Sequence, residues 1–449
     1  MTNHEKWLSY TDGLASPQNY IEWGWLYTIS ASLQRRVWCP PDHRRCYPNM
    51  YVTLVGKPGI GKGQVIRSVS DILKLHKLED VKPTAGGSSE EQMIVDSMAA
   101  ADLKAAQDEM MVGKDKASSP DKPDLIPIAA DAVTYEALVQ SMGRCIRRIN
   151  YSEYNAAQGK NVMRIYSHSS LCFCLEEIAS LFRKNTESLV NFLIQAYDCG
   201  ENYEYQTKTA GRDRIRRLCL NFLGATNPDF MQDTFDDKLL SQGYSSRTFY
   251  VFANKNRKSV FFLPELTELQ KQHRKEVAEH VVKLTRIYGQ VKIDDETWNW
   301  LQDWWAEYEA RPDKRASKSL KLEAYYARKN IHVMKIAMAM HFGESLDLFI
   351  PKATFQRAMD FLATEERTMH LALTLDGKNP LADTSRKMCG YLQQAGKKTF
   401  VDLLVEFNGS VRKTELEEIL ETLQTTGQVT ATQEVDEHTN ETKMYYTVK

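Results

Sequence analysis

The sequence predicts an α/β fold in which a parallel sheet is followed by a helical region and a small C-terminal domain. Up to about residue 254, apolar runs of strand length alternate with longer amphipathic segments, which is typical of parallel sheets covered by helices. Residues 263–369 are almost entirely helical in pattern, and the tail reads helix, helix, helix, strand, turn, strand. We therefore expect an N-terminal helical segment (1–45), an α/β core (46–256), a helical lid (257–375) and a C-terminal domain (385–449).

Length and composition are those of a globular protein with roughly two or three domains. The 449 residues allow a large core, and 42% hydrophobic with 26% charged residues is ordinary for a soluble chain. The formal net charge of −1 excludes a generally basic nucleic-acid-binding protein, so any contact with DNA needs a local patch. Eight cysteines lack the spacing of a disulfide framework, Met1 leads into polar residues, and no apolar segment is long enough to cross a membrane. These observations predict a cytoplasmic protein with no membrane partner.

The first element of the core is an apolar run followed by a glycine-rich turn. A helix over residues 17–36 precedes it, with apolar side chains at helical spacing. Residues 50–55 predict a buried parallel strand, and the amphipathic residues 64–75 predict a helix. Between them lies Gly56-Lys57-Pro58-Gly59-Ile60-Gly61-Lys62-Gly63. Strand, glycine-rich turn, lysine and helix in this order predict a phosphate-binding P-loop.

The residues of this loop predict how ATP would be held. Glycines let backbone N–H groups approach phosphate oxygens, the helix N-terminus adds the positive end of its dipole, and Lys62 reaches the β- and γ-phosphates. Gly63 stands where Ser or Thr usually holds Mg²⁺, so the metal must depend on other carboxylates or on water. The predicted nucleotide contacts are Gly56, Pro58, Gly59, Gly61, Lys62, Gly63 and Gln64.

An apolar strand that ends in two carboxylates supplies the second part of a P-loop ATPase. The strand is residues 171–175, and Glu176 and Glu177 follow it. We assign Glu176 to Mg²⁺, bound through water, and Glu177 to the general base that polarises the attacking water. The alternative is a pair of solvent-facing glutamates at a strand end, against which the accompanying P-loop argues.

A polar side chain at the tip of a further strand is the candidate for orienting the attacking water. Residues 218–223 predict this strand, and Gly224-Ala225-Thr226-Asn227-Pro228 follows it. Asn227 is the candidate, with Thr226 as the alternative. An Asx bond that closes the turn before Pro228 explains the asparagine equally well.

The densest basic patch of the chain lies between these two strands. Residues 203–217 alternate in polarity and break at Gly211, which predicts a β-hairpin. Such a hairpin, aimed into the pore of a ring, could grip the phosphates of single-stranded DNA, although a solvated or subunit-facing hairpin would show the same pattern. Against one acid, Asp213, the patch holds Lys208, Arg212, Arg214, Arg216 and Arg217.

Two further arginines are candidates for contact with the γ-phosphate. Arg247 stands at the start of an apolar strand, where a guanidinium could reach the nucleotide of a neighbouring subunit; a structural ion pair is the alternative. Arg328 begins a long helix that extends through Phe342, and it could fold down onto the nucleotide as a second sensor.

The tail has the element order of a winged helix, but its charge argues against a sequence-reading DNA-binding domain. The turn between its two strands, residues 436–440, is acidic, and phosphates would be repelled by such a surface. We expect a contact with a protein, or a weak contact with DNA. The third helix carries Glu415, Glu417, Glu418 and Glu421.

The order of these elements along the chain resembles that of the AAA+ ATPases. It is P-loop, paired acids, basic hairpin, polar strand end, arginine strand, helical lid and winged helix. The hairpin before the first sensor is similar to the branch that contains superfamily 3 viral helicases and minichromosome-maintenance helicases. Ser246-Arg247-Thr248-Phe249 looks like the arginine-finger motif of the latter. Residues 16–25 and 47–51 also resemble a family of phage and prophage proteins that are often joined to primase domains. The resemblance covers roughly residues 15–370.

The resemblance implies a role for each candidate residue. Lys62 would be the P-loop lysine, Glu176 the Mg²⁺ ligand and Glu177 the catalytic base. Asn227 would be the first sensor and Arg247 the arginine finger. Gly63 departs from the family pattern, and this puts metal affinity and turnover in question.

The resemblance implies a ring-forming DNA helicase of a phage or mobile element that acts in replication in the host cytoplasm. ATP and Mg²⁺ would be its cofactors, single-stranded DNA its substrate and a hexamer its assembly, with a primase or other replication protein as the partner of the winged helix. Two alternatives stay open. One is a helicase loader or DNA-remodelling switch that hydrolyses ATP without unwinding, and the other is a nucleotide-binding scaffold without turnover.

Overall fold

A computed structural model describes eleven stretches of the chain, which form two compact units. The first unit is Met1–Leu373 and the second is Thr374–Lys449. The N-terminal helical segment and the helical region after the sheet both belong to the first unit. The described residues are 1–39, 45–75, 125–155, 159–182, 186–207, 211–228, 230–231, 243–373, 380–408, 411–435 and 442–448.

The first unit is mixed α/β and is built on a five-stranded sheet of order β3-β4-β7-β2-β8. Strands β4, β7, β2 and β8 are parallel, which confirms the predicted class, and the edge strand β3 runs antiparallel to β4. Strands β5 and β6 form a separate hairpin. The strands of this unit are β1 (Val37–Trp38), β2 (Tyr51–Val55), β3 (Ile146–Asn155), β4 (Lys160–Leu175), β5 (Asn202–Thr207), β6 (Gly211–Arg216), β7 (Leu218–Thr226), β8 (Thr248–Phe252) and β9 (Gly289–Gln290).

Helices cover the sheet, and every residue of β2 is buried. This is why the strand reads as a continuous apolar run. Helix α2 is buried along almost its whole length, and Gly24 lets it lie close to α3, since an added Cβ would stand 2.7 Å from Val65. The helices of this unit are α1 (Asn3–Tyr10), α2 (Gln18–Leu33), α3 (Lys62–Lys74), α4 (Tyr135–Arg144), α5 (Ala179–Phe182), α6 (Thr186–Tyr197), α7 (Glu268–Leu284), α8 (Asp295–Ala310), α9 (Glu323–Tyr326), α10 (Lys329–Glu344) and α11 (Lys352–Leu373).

Helix α10 brings buried polar groups against the sheet. Lys329 forms an ion pair with Glu366 of α11, and the Tyr325 hydroxyl donates to the same carboxylate at 3.0 Å. Lys335 donates to the backbone carbonyls of Tyr47 and Asn49, both at 2.7 Å. Because buried charges need such partners, these bonds fix α10 against the start of β2.

In its described residues, the second unit has three helices and a three-stranded antiparallel sheet of order β10-β12-β11. Its own core is apolar and includes Met388, Leu403, Leu416 and Val429. In the described parts of both units, no helix is long and apolar enough to cross a membrane. The elements of the second unit are α12 (Pro380–Ala395), β10 (Lys398–Thr399), α13 (Phe400–Glu406), α14 (Lys413–Thr425), β11 (Val429–Val435) and β12 (Thr442–Val448).

Buried histidines are expected to make the first unit acid-sensitive. The Nε2–H group of His332 donates to the carbonyl of Ser246 at 3.1 Å, and its ring stacks on Tyr325. Burial, aided by the nearby cationic side chains, lowers the pKa of His332 well below 6.5, and burial does the same to the pKa of His168. Below about pH 6.5 the unfolded chain therefore binds protons that the folded chain does not bind. The free energy of unfolding falls as the pH is lowered.

Between about pH 7.5 and about pH 5.5, the free energy of unfolding should fall by about 1.4 kcal/mol less in His332→Gln than in the wild type. Glutamine keeps an N–H donor but does not titrate. The free energy of unfolding of the first unit can be measured in urea by tryptophan fluorescence. All eight tryptophans precede residue 306 and therefore belong to this unit. His168 remains in the variant, so part of the pH dependence persists. Equal pH dependence in the variant and the wild type would contradict this assignment.

Candidate functional site

The P-loop, the paired acids and the polar strand end meet at the carboxyl edge of the sheet. Val55, the last residue of β2, pairs with Thr226 of β7, and Leu175 of β4 pairs with Gly224 of β7. The N–H of Gly56 donates to the carbonyl of Thr226 at 3.3 Å. Because adjacent strands lie about 4.8 Å apart, the residues that follow these three strands form one cluster.

The glycines of the P-loop adopt backbone conformations that other residues disfavour. Gly59 and Gly61 both have a φ of +82°, and α3 begins directly after Gly61. A Cβ at Gly61 would also stand 2.8 Å from the Ser16 hydroxyl. This turn leaves the amino end of a 13-residue helix facing the loop, and such an end attracts anions.

Lys62 folds back onto the loop. Its ammonium donates to the carbonyls of Gly56 and Lys57, the latter at 3.0 Å. Partial burial lowers its pKa, and the negative charge of Glu177 acts in the opposite direction. The cation therefore already lies at the loop, where phosphate oxygens could take the place of the carbonyls.

Both glutamates after β4 are exposed, and each has a contact that orients it. Glu176 pairs with Arg67 of α3 at 3.4 Å, and one of its oxygens lies beside Gly63. Glu177 accepts a hydrogen bond from the N–H of Ala179 at 3.2 Å. Mg²⁺ at nucleotide sites usually takes one or two carboxylates together with phosphate and water, and this pair matches that requirement. Among the described residues, no three His, Cys, Asp or Glu side chains are grouped to hold a metal.

Asn227 lies at the tip of β7, between the strands of the P-loop and the acids. Its side-chain oxygen accepts the N–H of Phe230 at 2.7 Å, three residues further on, which is the spacing of a helix N-cap and not of the Asx turn that the sequence offered as the alternative. The Thr226 hydroxyl is buried, with the Asn227 carbonyl at 3.4 Å. The tip is thus placed for a sensor, and that role stays a prediction.

The segment before α2 contacts the P-loop, which sequence reasoning missed. The Ser16 hydroxyl donates to the carbonyl of Gly61 at 2.7 Å, and the N–H of Ala15 donates to the side-chain oxygen of Gln64 at 3.1 Å. The hydroxyl of Tyr20, in the first turn of α2 itself, donates to the carbonyl of Val55 at 2.7 Å. Gln64, predicted as a nucleotide contact, therefore also holds the N-terminal segment against the loop.

The two predicted arginines meet at the opposite, amino edge of the sheet. Arg247 is the last residue of a 3₁₀ turn, Ser245–Arg247, and precedes Thr248, which pairs with the first residue of β2. It forms an ion pair with Asp198 at 2.6 Å, and Arg328 contacts the same carboxylate at 3.3 Å. Five residues of β2 separate this edge from the P-loop, a distance of about 15 Å.

The side chain of Arg328 lies at the amino edge, away from the P-loop of its own chain, and its role as a second sensor stays a prediction. Asp198, at the end of α6, was missed by sequence reasoning. A single aspartate after a helix gives no signal in the sequence, since its partners are 49 and 130 residues away.

The predicted basic hairpin is confirmed as the antiparallel pair β5–β6, in register from Asn202↔Arg216 to Thr207↔Gly211. Lys208 lies outside the described residues. Arg214 and Arg216 stand at alternate positions of β6 and so share one face, opposite the buried Ile215, whereas the side chain of Arg212 is not among those described. The side chains of Arg214 and Arg216 are exposed, and Arg214 pairs with Glu204 at 3.5 Å.

A second exposed hairpin lies beside the first. Strands β3 and β4 pair over ten residues, from Ile146↔Ser169 to Asn155↔Lys160. Arg148 is exposed on it, and so are Met163 and Ile165, each at 68%. Arg217, at the end of the first hairpin, donates to the carbonyl of Ser167 at 3.2 Å. Both hairpins therefore join the sheet at its amino edge, where β7 begins beside β4.

No protein-family model matches the chain, and no curated protein sequence matches it. The sequence resemblance to AAA+ ATPases is therefore a hypothesis about function, to be judged on the geometry of the site.

Proposed function

We propose that this chain is an AAA+ ATPase that assembles into a ring, expected to be a hexamer, and acts as a DNA helicase of a phage or mobile element. The observation that carries the proposal is the division of the candidate residues between two edges of one sheet. Lys62, Glu176 and Glu177 lie at the carboxyl edge, whereas Arg247 and Arg328 lie about 15 Å away at the amino edge. One subunit thus presents the two halves of an ATPase site to different neighbours.

A ring explains why both arginines avoid the P-loop of their own chain. A guanidinium that stabilises charge on the γ-phosphate must touch it, and a strand of five buried residues lies between. In a head-to-tail assembly, the amino edge of one subunit would face the carboxyl edge of the next. Arg247 would then act on the neighbour's nucleotide, with Arg328 beside it.

The residues at the carboxyl edge would share the chemistry of hydrolysis. Lys62 would bind the β- and γ-phosphates, and Glu177 would accept a proton from the attacking water. Asn227, at the tip of the strand between them, would position that water. Mg²⁺, when bound with ATP, would neutralise charge on the phosphates, and Glu176 would hold it.

The hairpins would contact single-stranded DNA. Arg214 and Arg216 lie on one exposed face of β6, and a row of cations at alternate positions can follow a phosphate backbone. The second unit, which we take to be a winged helix, presents Glu417, Glu418 and Glu421 on the exposed side of α14. An acidic surface of this kind suits a protein partner, such as a primase or another replication protein, better than DNA.

The same acidic helix supports a second candidate function, that of a helicase loader or remodelling switch. Such a protein would hydrolyse ATP on binding its partner and would not unwind DNA. A scaffold that binds nucleotide without turnover is the third outcome, and Gly63 is the residue that favours it.

The test is ATP hydrolysis by the full-length protein with and without single-stranded DNA, next to Lys62→Ala as the inactive control. We expect DNA to stimulate hydrolysis. Arg214→Glu with Arg216→Glu should remove the stimulation while basal turnover is kept, since both residues belong to β6, which precedes the amino end of β7. Full stimulation in the charge-reversed variant would show that the hairpin does not bind DNA. Hydrolysis indifferent to DNA would favour the loader, and bound nucleotide without hydrolysis would favour the scaffold.

A further inference from the structure

Gly63 and Glu176 occupy one small volume at the start of α3. A Cβ added to Gly63 would stand 2.5 Å from one carboxylate oxygen of Glu176 and 3.2 Å from its carboxyl carbon. Unbonded atoms do not approach to 2.5 Å, so a Cβ at position 63 would displace the end of the Glu176 side chain from its present position. The glutamate thus lies where the usual Ser or Thr of a P-loop would begin.

A neighbouring arginine contacts the carboxylate, which is about half exposed, at this position. Arg67, one turn after Gly63 on α3, pairs with Glu176 at 3.4 Å and donates to the carbonyl of Gly63 at 3.2 Å. Glu176 directly follows β4, whose last residue is buried in the sheet. Strand β4 therefore places Glu176 beside the first turn of α3, and Arg67 of α3 contacts its carboxylate.

We propose that the carboxylate of Glu176 replaces the missing hydroxyl as the direct protein ligand of nucleotide-bound Mg²⁺, and that Gly63 is required to make room for it. This inference rests on the proposed function and refines it, since Glu176 would contact the metal directly and not through water. A carboxylate that acts through water would not need the space that Gly63 leaves. A carboxylate is a hard oxygen ligand suited to Mg²⁺, and unlike a hydroxyl it carries a full negative charge.

That charge gives the inference a signature in binding. Without the metal, Glu176 would repel the phosphates of ATP, whereas with the metal it would attract the complex. Glu176→Gln should therefore weaken binding of Mg²⁺–ATP and strengthen binding of metal-free ATP. A glutamate elsewhere on the surface, such as Glu187 of α6, serves as a matched control because Glu187→Gln removes the same charge outside the site.

The experiment measures the dissociation constant of a fluorescent ATP analogue with Mg²⁺ and with EDTA. We expect the dissociation constant in EDTA divided by the dissociation constant in Mg²⁺ to fall by about tenfold or more in Glu176→Gln. The same ratio should stay unchanged in Glu187→Gln. Gly63→Ala should lower the ratio too, since it displaces the carboxylate without supplying a hydroxyl. Gly63→Ser in the Glu176→Gln background should recover part of the ratio, because it restores the usual ligand.

The outcomes separate this inference from the proposed function. A wild-type protein that binds the analogue in neither condition would overturn both. Binding with a ratio that Glu176→Gln leaves unchanged would overturn the direct-ligand role and leave the ATPase proposal intact. Circular dichroism and Lys62→Ala accompany each series, so that loss of folding or non-specific binding is recognised.

Discussion

Arg247→Ala is expected to reduce ATP turnover by about 10³- to 10⁵-fold, the usual contribution of an arginine that neutralises charge on the transferred phosphoryl group. Binding of ATP should be nearly unchanged, because Arg247 lies at the edge of the sheet opposite to the P-loop of its own chain. Steady-state hydrolysis and the affinity for a fluorescent nucleotide measure the two effects. Arg286→Ala, which removes an exposed arginine of the helical region, is the matched control.

Mixing two inactive variants tests whether Arg247 acts between subunits. In a mixed ring, a subunit that lacks Arg247 keeps its own Glu177, and a neighbour that lacks Glu177 keeps its own Arg247. Half of the interfaces of such pairs would be complete, so mixing Arg247→Ala with Glu177→Gln should recover activity. If the mixture stays as inactive as its components, Arg247 acts within its own subunit or only stabilises the fold. The proposal that neighbouring subunits share one ATPase site would then be wrong.

Asp198 determines where both arginines rest. Its carboxylate accepts hydrogen bonds from Arg247 at 2.6 Å and from Arg328 at 3.3 Å, and all three side chains are largely shielded from solvent. A phosphate that approaches this edge would have to compete with the carboxylate for the guanidinium groups. The ion pair that the sequence offered as the alternative for Arg247 is therefore present, and it is compatible with the catalytic role, since Asp198 can hold the arginines in place until a neighbour docks.

The carboxyl edge of the sheet could be predicted from the sequence because its parts are local. The P-loop is contiguous with its strand and helix, and the paired acids directly follow an apolar strand. Parallel strands bring their carboxyl ends to one edge, so these local features meet once the class of the sheet is known. What the sequence could not give is the contact between Gly63 and Glu176, which depends on side-chain positions in two elements more than 100 residues apart.

The meeting of residues at the amino edge could not be predicted from the sequence, and the direction of β3 has only one indication in it. The sequence indicates Arg247 and Arg328 separately, but Asp198, the carboxylate that both of them contact, has no periodic or motif signal and lies 49 and 130 residues from them. The alternation of apolar and polar residues is the same in parallel and antiparallel strands, so it does not reveal that β3 runs against β4. Only the short connection between Asn155 and Lys160 indicates this direction, since a parallel pair needs a crossover of about ten residues or more.

Glu177→Gln is expected to reduce hydrolysis by about 10²- to 10⁴-fold while ATP stays bound, because a general base contributes that much and the amide cannot accept the proton. The substitution should not disturb the fold. Glutamine keeps an oxygen for the N–H of Ala179, and the side chain is exposed. The rate of hydrolysis and the nucleotide that co-purifies with the protein are the two measurements.

Comparison of the two neighbouring glutamates makes this prediction selective. Glu177→Gln should affect turnover and leave the Mg²⁺ dependence of binding as it is, whereas Glu176→Gln should change that dependence directly. The two carboxylates follow the same strand, but Glu176 points to Gly63 and Arg67 of α3 and Glu177 to the backbone of Ala179. Equal effects of both substitutions on metal-dependent binding would mean that the two carboxylates act together as ligands and that the base lies elsewhere. Full turnover in Glu177→Gln would exclude this residue as the base.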